Sequence, residues 1–252
     1  MKVRVLGCGE ASDPVHPNSS VVVEQGDWRL LIDLGYSAAQ KLYSCYPDGE
    51  AIDAIYFTHA HPDHCFGLGP YLIRLNDRQR KKPLQIICNP DSQERLKHLV
   101  EVSFWGIDKP WSFDLVWITT DEISSVGPFQ LTFASTTHSV TNQSILVQGE
   151  QALFYSGDGL VGQEGEQLIN KADMAFIETF ALTEQAGGQW HGNLPHTLKL
   201  VDANPDTTFC LYHIREDFRE NMMLQVEGIE RVLVPESGDL FDMASGEITH
   251  DA

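Results

Sequence analysis

Ala51-Ile52-Asp53-Ala54-Ile55-Tyr56-Phe57 runs directly into Thr58-His59-Ala60-His61-Pro62-Asp63-His64, and the fold turns on that junction. The first half is apolar, with aromatic and β-branched residues, and reads as a buried strand. The second half packs three imidazoles and a carboxylate into six residues. Neutral histidine nitrogens and aspartate oxygens are the usual ligands of zinc, and also suit iron or manganese. Side chains of an extended segment alternate with a period of two, so His59 and His61 face one way and one metal ion can take both. Pro62 turns the chain, sending Asp63 and His64 toward a second ion. The ligands then stand at the C-terminal end of a strand, where open α/β sheets place their chemistry. A lone histidine is ordinarily a surface or satisfied core residue. Four ligand-type residues in this pattern after a strand call for a metal.

Length and composition bound what surrounds that site. A chain of 252 residues can bury one large core, and with no Pro/Ser-rich linker or repeat it is expected to form a single domain over residues 1–252. Met1-Lys2-Val3-Arg4-Val5-Leu6 alternates like a strand rather than a signal peptide, and no apolar run reaches the length of a membrane span. Cys8, Cys45, Cys65, Cys88 and Cys210 are odd in number and lack CxxC spacing, which predicts reduced thiols and a cytoplasmic protein. Thirty-six acidic residues against 17 basic give a net charge of -19, a field that disfavours DNA, RNA and anionic membrane. The one basic run, Arg74 to Lys82, reads first as a solvated helix end and loop. Its functional alternative is a docking patch for a phosphorylated substrate.

Outward from the junction, strands are predicted over residues 3–9, 19–24 and 28–33, with a helix over 37–46 before the ligand strand. A glycine-rich exit at Gly67-Leu68-Gly69 leads into a helix, and a strand at 84–88 precedes a helix capped by Asn89 and running to about Val102. The aromatic segment Phe104 to Phe113 has no clear period and reads as core, or else as a pocket wall. The second half repeats the style. Strands fall at 114–118, 129–134, 143–148, 151–156, 174–178, 207–212 and 231–234, with helices near 165–170, 195–203 and 217–225. The periodicity alone specifies an α/β or α+β protein.

His59-x-His61-x-Asp63-His64 resembles the signature of the metallo-β-lactamase superfamily. That resemblance implies a four-layer αββα sandwich and three further ligands at strand ends. His138 after Phe133-Ala134-Ser135-Thr136-Thr137, Asp158 in Tyr155-Ser156-Gly157-Asp158, and His213 after Cys210-Leu211-Tyr212 meet the demand in order. The implied sets are His59, His61 and His138 on one ion, and Asp63, His64 and His213 on the other, with Asp158 between them. Asp33, in a strand-ending Asp33-Leu34-Gly35, is expected beneath the site, because a metal-bound histidine needs an acceptor for its other ring nitrogen.

Two further motifs resemble the ribonuclease Z-like phosphodiesterases. Glu178-Thr179-Phe180 looks like that branch's Glu-Thr-aromatic element, and His196-Thr197 like its His-Ser-Thr motif, with His191 a rival for the histidine. A carboxylate on Nδ1 fixes the imidazole's tautomer and raises its pKa, leaving Nε2 to serve the departing oxygen. The resemblance therefore implies Asp63, His196 and Glu178 as catalytic residues, and two divalent ions, zinc before manganese or iron. They would share a hydroxide that attacks a small or cyclic phosphodiester. Between His138 and Asp158 there is room only for a short hairpin, where tRNA-processing relatives carry a long basic arm. A small anionic substrate is expected rather than long nucleic acid, and a homodimer is compatible with it. The alternatives are hydrolysis of a lactone, thioester, sulfate ester or β-lactam on the same ions, a tRNA 3′-end endonuclease, a non-catalytic module, or a di-iron redox protein.

Overall fold

Strand alternation builds the architecture. In β2 (Ser20–Gln25) and β3 (Trp28–Ile32), Val21, Val23, Leu30 and Ile32 enter one apolar cluster, while Val22 and Leu31 enter another on the opposite face. The same division runs through β4 (Ala54–Phe57), where Ala54 and Tyr56 face one way and Ile55 and Phe57 the other. Strands buried on both faces need a layer on each side, and this chain supplies two such sheets. The computed structural model describes residues 1–106 and 111–250.

The first sheet runs, in spatial order, β16 (Glu247–His250), β15 (Asp239–Asp242), β1 (Lys2–Gly7), β2, β3, β4, β5 (Leu84–Cys88) and β6 (Leu115–Thr119). Pairing is antiparallel from β16 to β3 and parallel from β3 to β6. The second sheet runs β11 (Leu160–Val161), β8 (Phe129–Thr137), β9 (Gln143–Gln148), β10 (Ala152–Tyr155), β12 (Met174–Glu178), β13 (Thr208–Tyr212) and β14 (Val232–Leu233), with β7 (Ser125–Val126) paired to β8. It too is antiparallel as far as β10 and parallel beyond. Between the sheets lies a core to which Val5, Tyr56 and Ile87 contribute from one side and Ile145, Tyr155, Phe176 and Tyr212 from the other.

Helices cover the outer faces. Leu42 of α1 (Ala39–Cys45), Leu68 and Leu72 of α3 (Leu68–Asp77), and Leu96 of α4 (Pro90–Ser103) pack on the first sheet. Ile169 of α5 (Gln163–Ile169), Leu200 of α7 (Leu194–Ala203) and Met222 of α8 (Glu216–Val226) pack on the second. The result is the expected αββα order. Asn89 caps α4 by accepting from the Ser92 amide at 2.9 Å, as its sequence predicts. Not foreseen were α2 (Pro62–Cys65), α6 (Glu184–Gly187), the short strands β7 and β11, and the β15–β16 hairpin. Within the aromatic segment Phe104 to Phe113, residues 107–110 lie outside the described residues. Trp111 meets Phe104 in a tilted contact and Phe113 edge to face, and Phe104 and Phe113 pack into the core under the first sheet. Among the described residues, no helix is long and apolar enough to cross a membrane.

The basic run acts as a clamp. Arg80 is buried and donates to the carbonyls of Gly49, Ile52, Lys82 and Pro83 at 2.7 to 3.0 Å, tying the loop before β4 to the loop before β5. Lys82 pairs with Asp53, and Arg74 lies over the Tyr43 ring. Truncating Arg80 leaves four carbonyls without their donor, that of Ile52 buried, and removes the side chain that ties the two loops together. Arg80→Ala is therefore expected to lower the unfolding free energy by about 3 kcal/mol, against a few tenths for Arg78→Ala, as read by urea denaturation.

Candidate metal centre

Strands from both sheets end at one place. β4 delivers the segment from Thr58 to His64, β8 delivers His138, β10 leads through Ser156-Gly157 to Asp158, β12 ends in Glu178, and β13 is followed by His213. At the centre, His59, His61, His138 and Asp158 place ligand atoms within 4.8 Å of one another, and so do Asp63, His64, Asp158 and His213. Asp158 belongs to both groups. All seven side chains expected as ligands thus converge, and Asp158 stands where a bridging carboxylate would.

Local structure explains the placement. His61 is the N-cap of α2 and Pro62 its first residue, where a missing N–H costs nothing and φ is already helical. The four-residue turn carries Asp63 and His64 away from His59 and His61. Gly157 has φ 64°, and a Cβ there would meet Asn142 Oδ1 at 2.4 Å. Asn142 holds this turn by accepting from the Asp158 amide at 3.2 Å and donating to the Ser156 carbonyl at 3.0 Å. Asp33 and His213 are non-glycine residues with φ 57° and 54°, backbone strain that the surrounding hydrogen bonds must hold.

Three of the imidazoles, those of His59, His64 and His138, are fixed from behind. Asp33 accepts from His64 Nδ1 at 2.8 Å and from both the amide and the hydroxyl of Thr58 at 2.8 Å. The Thr58 hydroxyl, donating to Asp33, is left to accept from His59 Nδ1 at 3.0 Å. The Trp190 carbonyl accepts from His138 Nδ1 at 2.7 Å. These bonds put the proton on Nδ1 of His59 and His138 and aim both Nε2 lone pairs inward. They meet His61 Nδ1 at 3.0 and 3.2 Å. One His61 proton cannot serve both lone pairs, so three nitrogens face one point with too few hydrogens.

The charge balance makes the same demand. Asp33, Asp63, Asp158 and Glu178 are buried, and among the described residues their ion-pair partners are histidines, with no lysine or arginine. His64 Nε2 and Asp158 Oδ1 are buried without a hydrogen-bond partner, 3.2 Å apart. Burial alone would lower the pKa of His64 and His213, but Asp158 and Asp63 push both well above the usual histidine range. Burial, reinforced by His64, holds His59 well below that range, so it stays a neutral ligand. The donor set and the unpaired atoms fit divalent cations: orphaned acceptors and uncompensated carboxylates stabilise a bound ion rather than the apoprotein.

Glu178 corrects one sequence expectation. Its Oε1 accepts from His191 Nδ1 at 2.6 Å, and its Oε2 takes the amides of Gly159 and Gly192 at 2.5 and 2.8 Å. His196 makes no hydrogen bond to it. His196 is the third residue of α7, its amide donates to the cap Asn193 at 3.1 Å, and its Nε2 is buried without a partner. The imidazole on Glu178 belongs to His191, which precedes the cap, stacks on Phe180 at 4.4 Å and lies 5.3 Å from the His138 ring. Gly192 makes this possible, because a Cβ there would strike the Glu178 carbonyl at 2.1 Å. Burial pulls the His191 pKa down, but the hydrogen bond and charge of Glu178 outweigh it and leave the group raised. Two signals in the sequence point to His191: the glycine beside it, and Asn193-Leu194-Pro195, which marks the helix start after it.

Two sheets sandwiched by helices, with His/Asp clusters able to hold metal at their strand ends, are the architecture of the metallo-β-lactamase fold. The chain belongs to the family described as Anti-Pycsar protein Apyc1, which matches residues 1–233. It is 26% identical over 164 residues to the anti-Pycsar protein Apyc1 of Saccharibacillus brassicae, an alignment covering 63% of this chain and 67% of that protein. It is 25% identical over 195 residues to the probable metallo-hydrolase YhfI of Bacillus subtilis, covering 74% and 75%. The crystal structure of YhfI matches 95% of this chain and 98% of its own with a TM-score of 0.78 at 22% identity. Human short-form tRNase Z matches 96% and 99% with a TM-score of 0.79 at 19% identity, a likeness of fold.

Asparagine at position 33 keeps the size and tolerates the positive φ but removes the charge behind His64. Asp33→Asn is expected to weaken zinc retention by about tenfold, measured by competition with a chromogenic chelator.

Proposed function

We propose that this protein is a dinuclear metal-dependent phosphodiesterase acting on a small or cyclic phosphodiester. The observation that carries the reading is the Glu178–His191 pair standing beside two ligand groups that share Asp158. His59, His61 and His138 would hold one ion, and Asp63, His64 and His213 the other, with Asp158 common to both. Their nitrogen and oxygen donors suit zinc, and manganese or iron less closely. Divalent ions bound there bring the ionisation of water near neutrality and offset the charge of a phosphate.

The chain's own groups do the rest. Asp63 Oδ2 lies 3.2 Å from His64 Nε2 and 3.3 Å from His213 Nε2, and no described residue engages its Oδ1. That oxygen is placed to accept a hydrogen bond from the attacking water and orient it. Glu178 keeps the proton of His191 on Nδ1 and favours the imidazolium, so Nε2–H can be given to the departing alkoxide. A poor leaving group such as an alkoxide needs that proton, which favours a phosphodiester over a thioester or an activated lactam. His196, expected in this role, lies outside it. The segment from His138 to Asp158 forms only β9, β10 and their turns, and offers no basic arm to grip a long polyanion.

The test uses purified protein reconstituted with zinc or manganese and assayed against bis-p-nitrophenyl phosphate, cyclic nucleotides, a lactone and a thioester. Metal analysis should return about two ions per chain and phosphodiesters should be turned over. Preferential cleavage of the lactone or thioester would overturn the reading. His59→Ala is expected to abolish activity with every substrate.

The leaving group separates the histidines. His191→Ala should lower kcat about 100-fold on a cyclic nucleotide, whose alkoxide must be protonated, but far less on bis-p-nitrophenyl phosphate, whose phenolate leaves unaided. His196→Ala should change neither by more than about twofold. Equal losses in His191→Ala on both substrates would remove the proton-donor role.

A further inference from the structure

Beside His61 a cavity of about 480 Å³ opens between the first turns of α4 and the turn that joins β8 to β9. Asp91, Ser92 and Arg95 line it from the helix, and Val140 and Thr141 from the turn. Its volume is several times that of a phosphate group and falls in the range of pockets that take a small molecule. The seven ligands and the Glu178–His191 pair leave this space unused.

Asp91 and Arg95 stand one turn apart on one face of α4, the spacing at which a carboxylate and a guanidinium ordinarily pair. Here they do not. The Thr141 hydroxyl donates to Asp91 Oδ2 at 2.6 Å, and among the described residues no carboxylate or carbonyl engages Arg95. The far wall is also held. Asn89, the helix cap, donates to the carbonyls of both Thr58 and Thr141 at 3.2 Å, and the Gln143 amide donates to Thr58 at 3.1 Å. The backbone of both walls is therefore tied to the ligand segment itself, while the side chains of Asp91 and Arg95 stay exposed to solvent at the cavity.

We propose that this cavity binds the uncharged, hydrogen-bonding arm of the phosphodiester, with Arg95 as donor and Asp91 as acceptor selecting it. This deepens the phosphodiesterase reading and rests on it. A second phosphate is the wrong occupant, because the cavity's single cation is matched by a carboxylate four residues away. An arm that carries both carbonyl and N–H or O–H groups, such as a heterocycle on a sugar, satisfies both side chains. An apolar arm satisfies neither. Arg95 acts here as a specificity-determining residue, away from the reacting atoms.

The experiment compares thymidine 5′-p-nitrophenyl phosphate, which has a polar arm, with bis-p-nitrophenyl phosphate, which has none, in the metal-loaded protein. Arg95→Ala should raise KM for the thymidine ester about tenfold with kcat unchanged, and leave bis-p-nitrophenyl phosphate within twofold. Arg95→Lys should recover part of the loss, since an ammonium donates without the planar fork. Equal losses on both substrates would place Arg95 on the scissile phosphate and overturn the proposal. No change on either would overturn it as well. Wild-type protein that cleaves neither ester would sink the phosphodiesterase reading instead. Binding of thymidine, which carries no phosphate, to metal-free protein then decides the cavity alone: weakening by about fivefold in Arg95→Ala supports it, and unchanged binding removes it.

Discussion

The molecule depends on a concentration of buried carboxylates whose ion-pair partners, among the described residues, are imidazoles alone. Asp33, Asp63, Asp158 and Glu178 lie within one volume at the strand ends, with imidazoles as their ion-pair partners. Burying a carboxylate costs several kcal/mol unless it is paired and hydrogen-bonded. The chain meets part of that cost through Thr58, through the amides of Gly159 and Gly192, and through Asn142, each aimed at one carboxylate or its backbone. The remainder calls for cations, and so the most expensive part of the fold is also the part that can do chemistry.

Strand alternation makes the concentration possible. In β10, β12 and β13, Leu153, Tyr155, Met174, Phe176, Cys210 and Tyr212 turn toward the other sheet, while Phe154, Ala175, Ile177, Phe209 and Leu211 meet the helices. Strands locked on both faces cannot slide, because a one-residue slip would exchange the two sets. Their ends are therefore fixed to a fraction of a residue, and ligands far apart in the chain meet without a framework of their own. Tyr212 links core to site directly: its ring packs with Tyr155 in the core, and its hydroxyl donates to the Gly157 carbonyl beside Asp158.

Where local pattern decided structure, the sequence could be read. The run from Ala51 to His64 specified strand, turn and two ligand directions, because period two and a proline leave few alternatives. Arg80 was read as surface because a basic run usually is; only the tertiary carbonyls of Gly49, Ile52 and Pro83 turn it inward. His196-Thr197 resembles a motif whereas His191 stands beside a glycine in a loop, and only the close approach of Gly192 to the Glu178 carbonyl brings His191 to that carboxylate. The β15–β16 hairpin escaped because Glu247 to His250 are exposed, and an edge strand pointing to water leaves no apolar alternation to detect.

A chain of net charge -19 is an unexpected host for an anion. The resolution lies in distance. At physiological ionic strength charges are screened over about 8 Å, so a small phosphodiester at the strand ends responds mainly to the groups that touch it. There, on the dinuclear reading proposed above, two divalent cations and the imidazoles would outweigh the carboxylates they neutralise. A long polyanion extends across many screening lengths and meets the acidic exterior along its whole contour, with no compensating basic element between His138 and Asp158. On the proposed reading the acidic exterior would act as a filter on substrate size. It would leave the proposed reaction at the strand ends untouched while denying the extended contact that a nucleic-acid chain needs.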